Sequence, residues 1–152
     1  MRKNNFEGLT KNEFVVLWVV AFFMNLRGYE RMDEKQIMQI NTYGDVSVVS
    51  FGQDIVTGLL GLEQINERLR VYISDRKPGK LIVDFDGVKF FSSQVLGMLV
   101  DIWRRLRDYG GIMLISGVNP QLNRVFKITN LDKIFEFYPD RSHAVEAMGK
   151  KK

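Results

Sequence analysis

The chain has 152 residues, 45% hydrophobic and 26% charged, which is the composition of a globular protein long enough for one core. Its net charge of +4 arises from interspersed acids and bases, and we interpret the basic ends as solvated rather than as a nucleic-acid-binding stripe. The absence of cysteine excludes disulfides, thiol catalysis and thiolate metal sites, and it fits a reducing compartment.

An apolar segment lies near the start of the chain. Residues 14–24 are apolar without interruption, whereas a membrane-spanning helix needs roughly 20 such residues. Three interpretations stay open: translation begins at Met32, or the segment forms a helix that packs on the domain or on a second copy, or it inserts partly into a membrane. We expect an extension over residues 1–31, a single domain over 32–149 and a basic tail over 150–152.

The next part of the chain predicts a hairpin, a helix and a strand. Residues 36–41 and 46–51 are β-prone and flank a turn-forming tetrapeptide. Apolar residues then recur at three- and four-residue steps over 59–69, which indicates an amphipathic helix. After a polar loop, residues 81–85 form an apolar run typical of a buried strand.

A second helix is predicted over residues 94–109, where Gly110 suits the left-handed position that ends a helix. Its apolar stripe consists of Val95, Leu99, Ile102 and Leu106. A strand over 112–116 follows.

The remaining residues predict two more helices and one strand. Asn119 precedes Pro120, which is the pattern of an N-cap followed by the first helical residue. A short strand is expected over 134–137 and a last helix from 139–140 onward, with His143 in a surface or capping role. The order ββαβαβαβα predicts an α/β domain with a mixed, mostly parallel sheet whose antiparallel edge is the hairpin.

Ser92 and Ser93 are the first candidate site, because they follow the carboxyl end of a strand in a βαβ unit. Open α/β sheets usually expose their functional groups at that edge. A serine there can cap the following helix, which contributes about 1 kcal/mol. It can also carry a phosphate, which the positive end of the helix dipole tolerates.

A second candidate site is the sequence DFDGV at 84–88, which resembles the first motif of haloacid-dehalogenase phosphatases. In that chemistry Asp84 would attack phosphorus and Asp86 would act as general acid and base. Such enzymes also need a later acidic pair for magnesium, and the acids after Ser116 do not form one on a strand end. We therefore keep this enzyme class as the least favoured alternative.

The order of several motifs resembles the STAS domain of bacterial anti-sigma factor antagonists. The resemblance covers about residues 36–148, and its segments are LIVDFDGV at 81–88, FFSSQVLGML at 90–99, Gly110-Gly111 and a closing turn made of Thr129, Leu131, Lys133, Ile134 and Phe135. It implies a fold with the same ββαβαβαβα order.

The resemblance implies a phosphorylation site at Ser93, with Ser92 as the fallback acceptor. Ser92 stands where the family has an aspartate, Gln94 replaces a hydroxyl residue and Val95 replaces a glycine. The partner-binding surface implied in this way consists of Ser92, Ser93, Gln94, Val95, Gly97 and Met98.

The resemblance also implies partners. The unmodified protein would bind an anti-sigma factor that is a serine kinase, phosphorylation would end the binding, and a serine phosphatase would restore it. The chain would be cytoplasmic, with no catalytic residue, cofactor or metal. The alternative is a scaffold subunit of a signalling or lipid-transport complex that is not phosphorylated.

The second helix also carries three arginines off its apolar stripe, Arg104, Arg105 and Arg107. They form either a solvated face or a contact with an acidic partner.

Overall fold

The computed structural model describes residues 10–13, 15–16, 19–20, 38–52 and 59–151. The chain divides into two compact units, Met1–Asp33 and Glu34–Lys152. The second unit contains five strands, four helices and a 3₁₀ turn in its described residues. They are β1 (Met38–Tyr43), β2 (Val46–Phe51), α1 (Leu59–Arg76), β3 (Lys80–Asp84), α2 (Ser93–Asp108), β4 (Ile112–Ser116), α3 (Pro120–Ile128), the 3₁₀ turn (Leu131–Lys133), β5 (Glu136–Tyr138) and α4 (Arg141–Lys150).

The five strands form one sheet in the order β1-β2-β3-β4-β5. β1 is antiparallel to β2, and every other neighbouring pair is parallel. Sequential parallel strands with right-handed crossovers carry their connecting helices on one face of the sheet. The remaining helix, α4, contacts β2, β3, β4 and β5. The predicted mixed α/β fold is therefore confirmed.

The core consists of two apolar layers, because successive residues of a strand point to opposite faces of the sheet. Ala144 and Met148 of α4 pack against Val46, Val48, Ile82 and Leu114. The predicted stripe of α2 is fully buried, which fixes this helix against the sheet and leaves its other face to solvent.

The structure corrects the predicted ends of three strands. β3 spans Lys80–Asp84 rather than 81–85, a shift of one residue. β1 continues to Tyr43 because the hairpin turn needs only Gly44 and Asp45, and Gly44 has the positive φ of +62° that such a turn requires. β5 begins at Glu136 rather than at Ile134. The preceding residues form a 3₁₀ turn, which leaves the Ile134 side chain exposed.

The described residues of the first unit begin a helix. Thr10 accepts a hydrogen bond from the backbone N–H of Glu13, and Glu13 accepts one from that of Thr10, which is a capping box. Among the described residues, no helix combines the length and hydropathy needed to cross a bilayer. Most of the apolar segment at 14–24 and the alternative start at Met32 lie outside the described residues.

The last described residues of the second unit contact β5. Lys150 is the last residue of α4, and the ammonium of Lys151 lies 2.8 Å from the carboxylate of Glu136. This ion pair holds the pKa of Glu136 below its ordinary value. The Lys151 side chain is thus attached to β5.

Candidate functional site

Three helices begin at the same edge of the sheet. α2, α3 and α4 follow β3, β4 and β5, and the parallel pairing of these strands places their carboxyl ends side by side. The first N–H groups of a helix have no partner within the helix, so each of these starts exposes donors unless a side chain covers them.

The start of α2 has no side-chain cap. Ser92 occupies the N-cap position with extended backbone angles, but its hydroxyl makes no capping hydrogen bond. Ser93 is the first helical residue, and its side chain is exposed. Of the two serines that could have capped the helix, Ser92 takes the cap position and Ser93 lies one residue beyond it. The Ser93 hydroxyl is accessible to another macromolecule.

The loop before Ser92 is anchored by its hydrophobic residues. Val88 is buried, and the ring of Phe91 lies 5.5 Å from that of Phe85 and 5.7 Å from that of Phe126. Phe90 points the other way and is 58% exposed. A large exposed aromatic residue beside the site is typical of a protein interface. Phe90 could not be recognised from the sequence, since two adjacent phenylalanines do not reveal which one packs against the core.

Asn119 joins this loop to α3. Its Oδ1 accepts a hydrogen bond from the backbone N–H of Leu122 at 2.8 Å, which confirms the predicted N-cap. Its Nδ2 donates to the carbonyl oxygens of Val88 and Lys89, each at 3.0 Å. One amide thus caps α3 and holds the segment that leads to Ser93. The second role depends on a tertiary contact that the sequence motif does not contain.

Asp84 is engaged in structural contacts rather than free for chemistry. Its side chain is 1% exposed, and its Oδ1 accepts hydrogen bonds from the Ser116 hydroxyl at 2.9 Å and from the backbone N–H of Asp86 at 3.3 Å. Both Nε and Nη2 of Arg141 contact Oδ2, at 2.9 and 2.8 Å. With both oxygens occupied, Asp84 has no position from which to attack phosphorus. The phosphatase-like motif therefore serves the fold.

The Asp84 network also explains a glycine. Gly117 has a φ of +71°, and a Cβ there would lie 2.7 Å from Asp84 Oδ1 and 2.7 Å from the backbone nitrogen of Asp86.

The hydrogen bond to Asp84 raises the pKa of Arg141. Because Asp84 is buried, Arg141 compensates a charge that would otherwise be costly.

The α4 start is capped by Asp140. Its Oδ1 accepts a hydrogen bond from the backbone N–H of His143 at 2.9 Å, and its Oδ2 lies 2.7 Å from His143 Nδ1. The backbone hydrogen bond, together with the imidazole contact, holds the pKa of Asp140 below its ordinary value. His143 is exposed and belongs to this cap, as the prediction of a surface or capping role stated.

The predicted partner-binding residues divide by exposure. Ser93, Gln94 and Gly97 are exposed, and Ser92 is half-buried. Val95 and Met98 belong to the hydrophobic core, at 0% and 5% exposure. A side chain at Val95 cannot contact a partner in this conformation, so any contribution from that position comes through the backbone.

The three arginines of α2 have different surroundings. Arg105 forms an ion pair with Asp101, at 3.0 Å between Nε and Oδ2. The guanidinium of Arg107 lies 4.7 Å from the ring centre of Trp103, in a cation–π contact. In the described part of the chain, no ion pair includes Arg104, which is exposed beside a groove.

Comparisons with known proteins agree with this architecture. The model of the STAS domain family matches residues 38–144, so the chain belongs to that family. A candidate anti-sigma factor antagonist of Thermotoga neapolitana is 33% identical over 67 residues, which are 44% of this chain and 59% of the relative. The match thus spans less than two thirds of that relative.

Two solved structures share the fold. An anti-sigma factor antagonist (STAS) domain protein from Planctomyces limnophilus is 25% identical, with a TM-score of 0.68, and the match covers 74% of this chain and 98% of that one. The Bacillus cell fate determinant SpoIIAA in its phosphorylated form is 18% identical, with a TM-score of 0.56, and the match covers 72% and 97%.

Proposed function

We propose that this chain is a regulatory protein that binds an anti-sigma factor with serine kinase activity, and that phosphorylation of Ser93 ends the binding. The observation that carries the proposal is the exposed Ser93 hydroxyl at the first residue of a helix whose start has no side-chain cap. In this proposal the chain is a ligand and a substrate in the cytoplasm, with no catalytic role. A phosphatase restores the unmodified form.

A phosphate at Ser93 is compatible with the fold. The N-terminus of α2 is the positive end of the helix dipole, and its first backbone N–H groups donate no hydrogen bond to the Ser92 side chain. A phosphoserine brings a charge of roughly −2 and three strong acceptor oxygens. The domain therefore keeps its structure, whereas a partner that covers Ser93 must bury an uncompensated charge. That penalty reaches several kcal/mol and separates the complex.

The comparisons support the partner class. The Thermotoga neapolitana relative and the Planctomyces limnophilus structure are both named for anti-sigma factor antagonism, and SpoIIAA is described in a phosphorylated form. This chain has a neutral Ser92 where the family carries an aspartate. We infer that its kinase recognises a site without an acidic neighbour.

The test compares Ser93→Asp with Ser93→Ala, and Ser92→Ala is the matched control. Each variant is titrated by calorimetry against the purified anti-sigma factor kinases encoded in the same genome. We expect Ser93→Asp to lose at least about 100-fold in affinity, because the carboxylate is buried unpaired. Ser93→Ala and Ser92→Ala should bind like the wild type, and all melting temperatures should stay close together. Equal binding by Ser93→Asp and Ser93→Ala would refute the switch.

A scaffold role without phosphorylation is the second candidate. The observation in its favour is the altered motif, in which Val95 is a core residue at the place of a family glycine. A scaffold predicts a stable multi-subunit complex that persists in Ser93→Asp. Size-exclusion chromatography of the complex with both Ser93 variants separates the two functions.

A further inference from the structure

Gly97 lies in an exposed turn of α2 where nothing in the domain requires a glycine. A Cβ at this position would meet no neighbouring atom within 4 Å, and the side chain would point into open space. A glycine inside a helix destabilises it relative to alanine. The fold therefore gains nothing from Gly97, whereas a glycine allows another backbone to approach a helix closely.

Two grooves flank Gly97. The first, about 540 Å³, lies between α1 and α2 and has polar and charged residues of both helices in its lining, among them Glu63, Arg70 and Gln94. The second, about 340 Å³, lies between α2 and the end of α3 and includes Val100 and Leu131. Gly97 and Asp101 both belong to the lining of the two grooves, and of these residues only Gly97 has no side chain. It is therefore the low point of the ridge that separates them.

The charges along this ridge are unequal. Asp101 is paired with Arg105 and with Arg70, at 3.0 and 3.2 Å. Burial opposes its ionisation, but the two guanidinium groups outweigh it and hold the pKa of Asp101 below its ordinary value. The negative charge of Asp101 is thus already paired with two arginines of the domain. Arg104, which lines the second groove, has no ion-pair partner among the described residues and is available to an acidic group.

We propose that a helix of the partner protein crosses α2 at Gly97. One of its side chains is aliphatic and packs on Val100 and Leu131 in the second groove, and a carboxylate one turn away pairs with Arg104. This inference rests on the proposed function, because Gly97 already belongs to the predicted partner-binding surface, which the crossing extends along α2 to Arg104. It assigns the partner an amphipathic helix with an acidic residue beside its apolar face.

The crossing is tested with Gly97→Ala and the matched control Gly149→Ala. Gly149 is also an exposed helical glycine whose added Cβ would meet nothing within 4 Å, but it lies near the end of α4. Both variants should melt at or above the wild-type temperature, since alanine favours helices.

Binding to the purified anti-sigma factor kinases of the same genome is then measured by calorimetry. Gly97→Ala should weaken binding by at least about tenfold, because the methyl group overpacks the contact. Gly149→Ala should bind like the wild type.

The acidic contact is tested with Arg104→Glu against Arg76→Glu, which makes the same charge change at the far end of α1. Only Arg104→Glu should reduce the affinity, by about tenfold or more, and the loss should shrink at high salt. Equal binding by Gly97→Ala and Gly149→Ala overturns the crossing at Gly97, and equal binding by the two charge variants overturns the acidic contact. If the wild-type chain does not bind either, the proposed function itself is overturned. If the wild type binds and the variants bind equally, only the crossing or the acidic contact fails.

Discussion

The start of α2 and the start of α3 have similar polar residues at the N-cap position, but only α3 has a side-chain cap. At α3, the Asn119 side chain accepts from the backbone N–H of Leu122 and also holds the preceding loop. At α2, Ser92 stands at the N-cap position without a capping hydrogen bond, and Ser93 is exposed. The α4 start resembles that of α3, since Asp140 caps it.

This difference affects both the stability of each helix start and the availability of its backbone N–H groups to a ligand. A side-chain cap contributes to folding by accepting from one of the first N–H groups of the helix, whereas at the open start of α2 no side chain does so and the neighbouring Ser93 is exposed. The loop that leads to this open start is not loose, because Asn119 and the packing of Phe91 hold it. The domain thus presents Ser93 at the end of a firmly held loop.

The largest effect is expected at Asn119. Asn119→Ala removes the cap of α3 and two hydrogen bonds to the loop, and we expect a loss of about 2–3 kcal/mol in the free energy of unfolding. Asn119→Asp keeps an equally good cap acceptor but cannot donate to the carbonyls of Val88 and Lys89, so its loss should be about 1–2 kcal/mol. Urea denaturation measures both. Equal stability of Asn119→Asp and the wild type would show that the loop contacts do not matter.

A smaller effect separates the capped start of α4 from the open start of α2. Asp140→Ala should lower the melting temperature, because the N–H of His143 loses its acceptor. Ser92→Ala should stay within about 0.5 kcal/mol of the wild type, because no capping hydrogen bond is lost. Thermal unfolding of the two variants at neutral pH gives the comparison. A loss for Ser92→Ala as large as that for Asp140→Ala would mean that the two starts are alike.

The smallest effect is a pH dependence of the α4 cap. The pKa of Asp140 is lowered in the folded state, so its contribution is present above the ordinary carboxyl value near 3.8 and is lost as the pH falls through the folded pKa. Asp140→Asn keeps a cap acceptor that does not titrate. We expect the stability of the wild type relative to Asp140→Asn to be constant near neutrality and to fall in acid. A difference between the two proteins that does not change with pH would contradict the assignment.

Much of the fold could be predicted because its signals are local. β2 and β4 have the predicted ends, since each is an apolar run bounded by turn residues. The stripe of α2 and the Asn119-Pro120 start of α3 were read in the same way. β5 was placed two residues early because the apolar Ile134 resembles a strand residue, and only the 3₁₀ turn shows that its side chain is exposed.

The site was less predictable, because it depends on contacts between distant residues. The sequence located Ser93 at a helix start but not which of the two serines takes the cap position. That Asn119 reaches Val88 and Lys89 depends on two neighbouring strands, β3 and β4, ending at the same edge. That Phe91 packs against the core while Phe90 stays exposed depends on the path of the loop over Phe126.

The most direct test of Ser93 as a switch is the position of phosphate after reaction with a kinase. The full chain is incubated with ATP and each purified anti-sigma factor kinase of the same genome, and its intact mass and fragments are measured. We expect one phosphate, located on Ser93, and none on Ser93→Ala. A phosphate at any other residue, or no phosphate from a kinase that binds the chain, would contradict it.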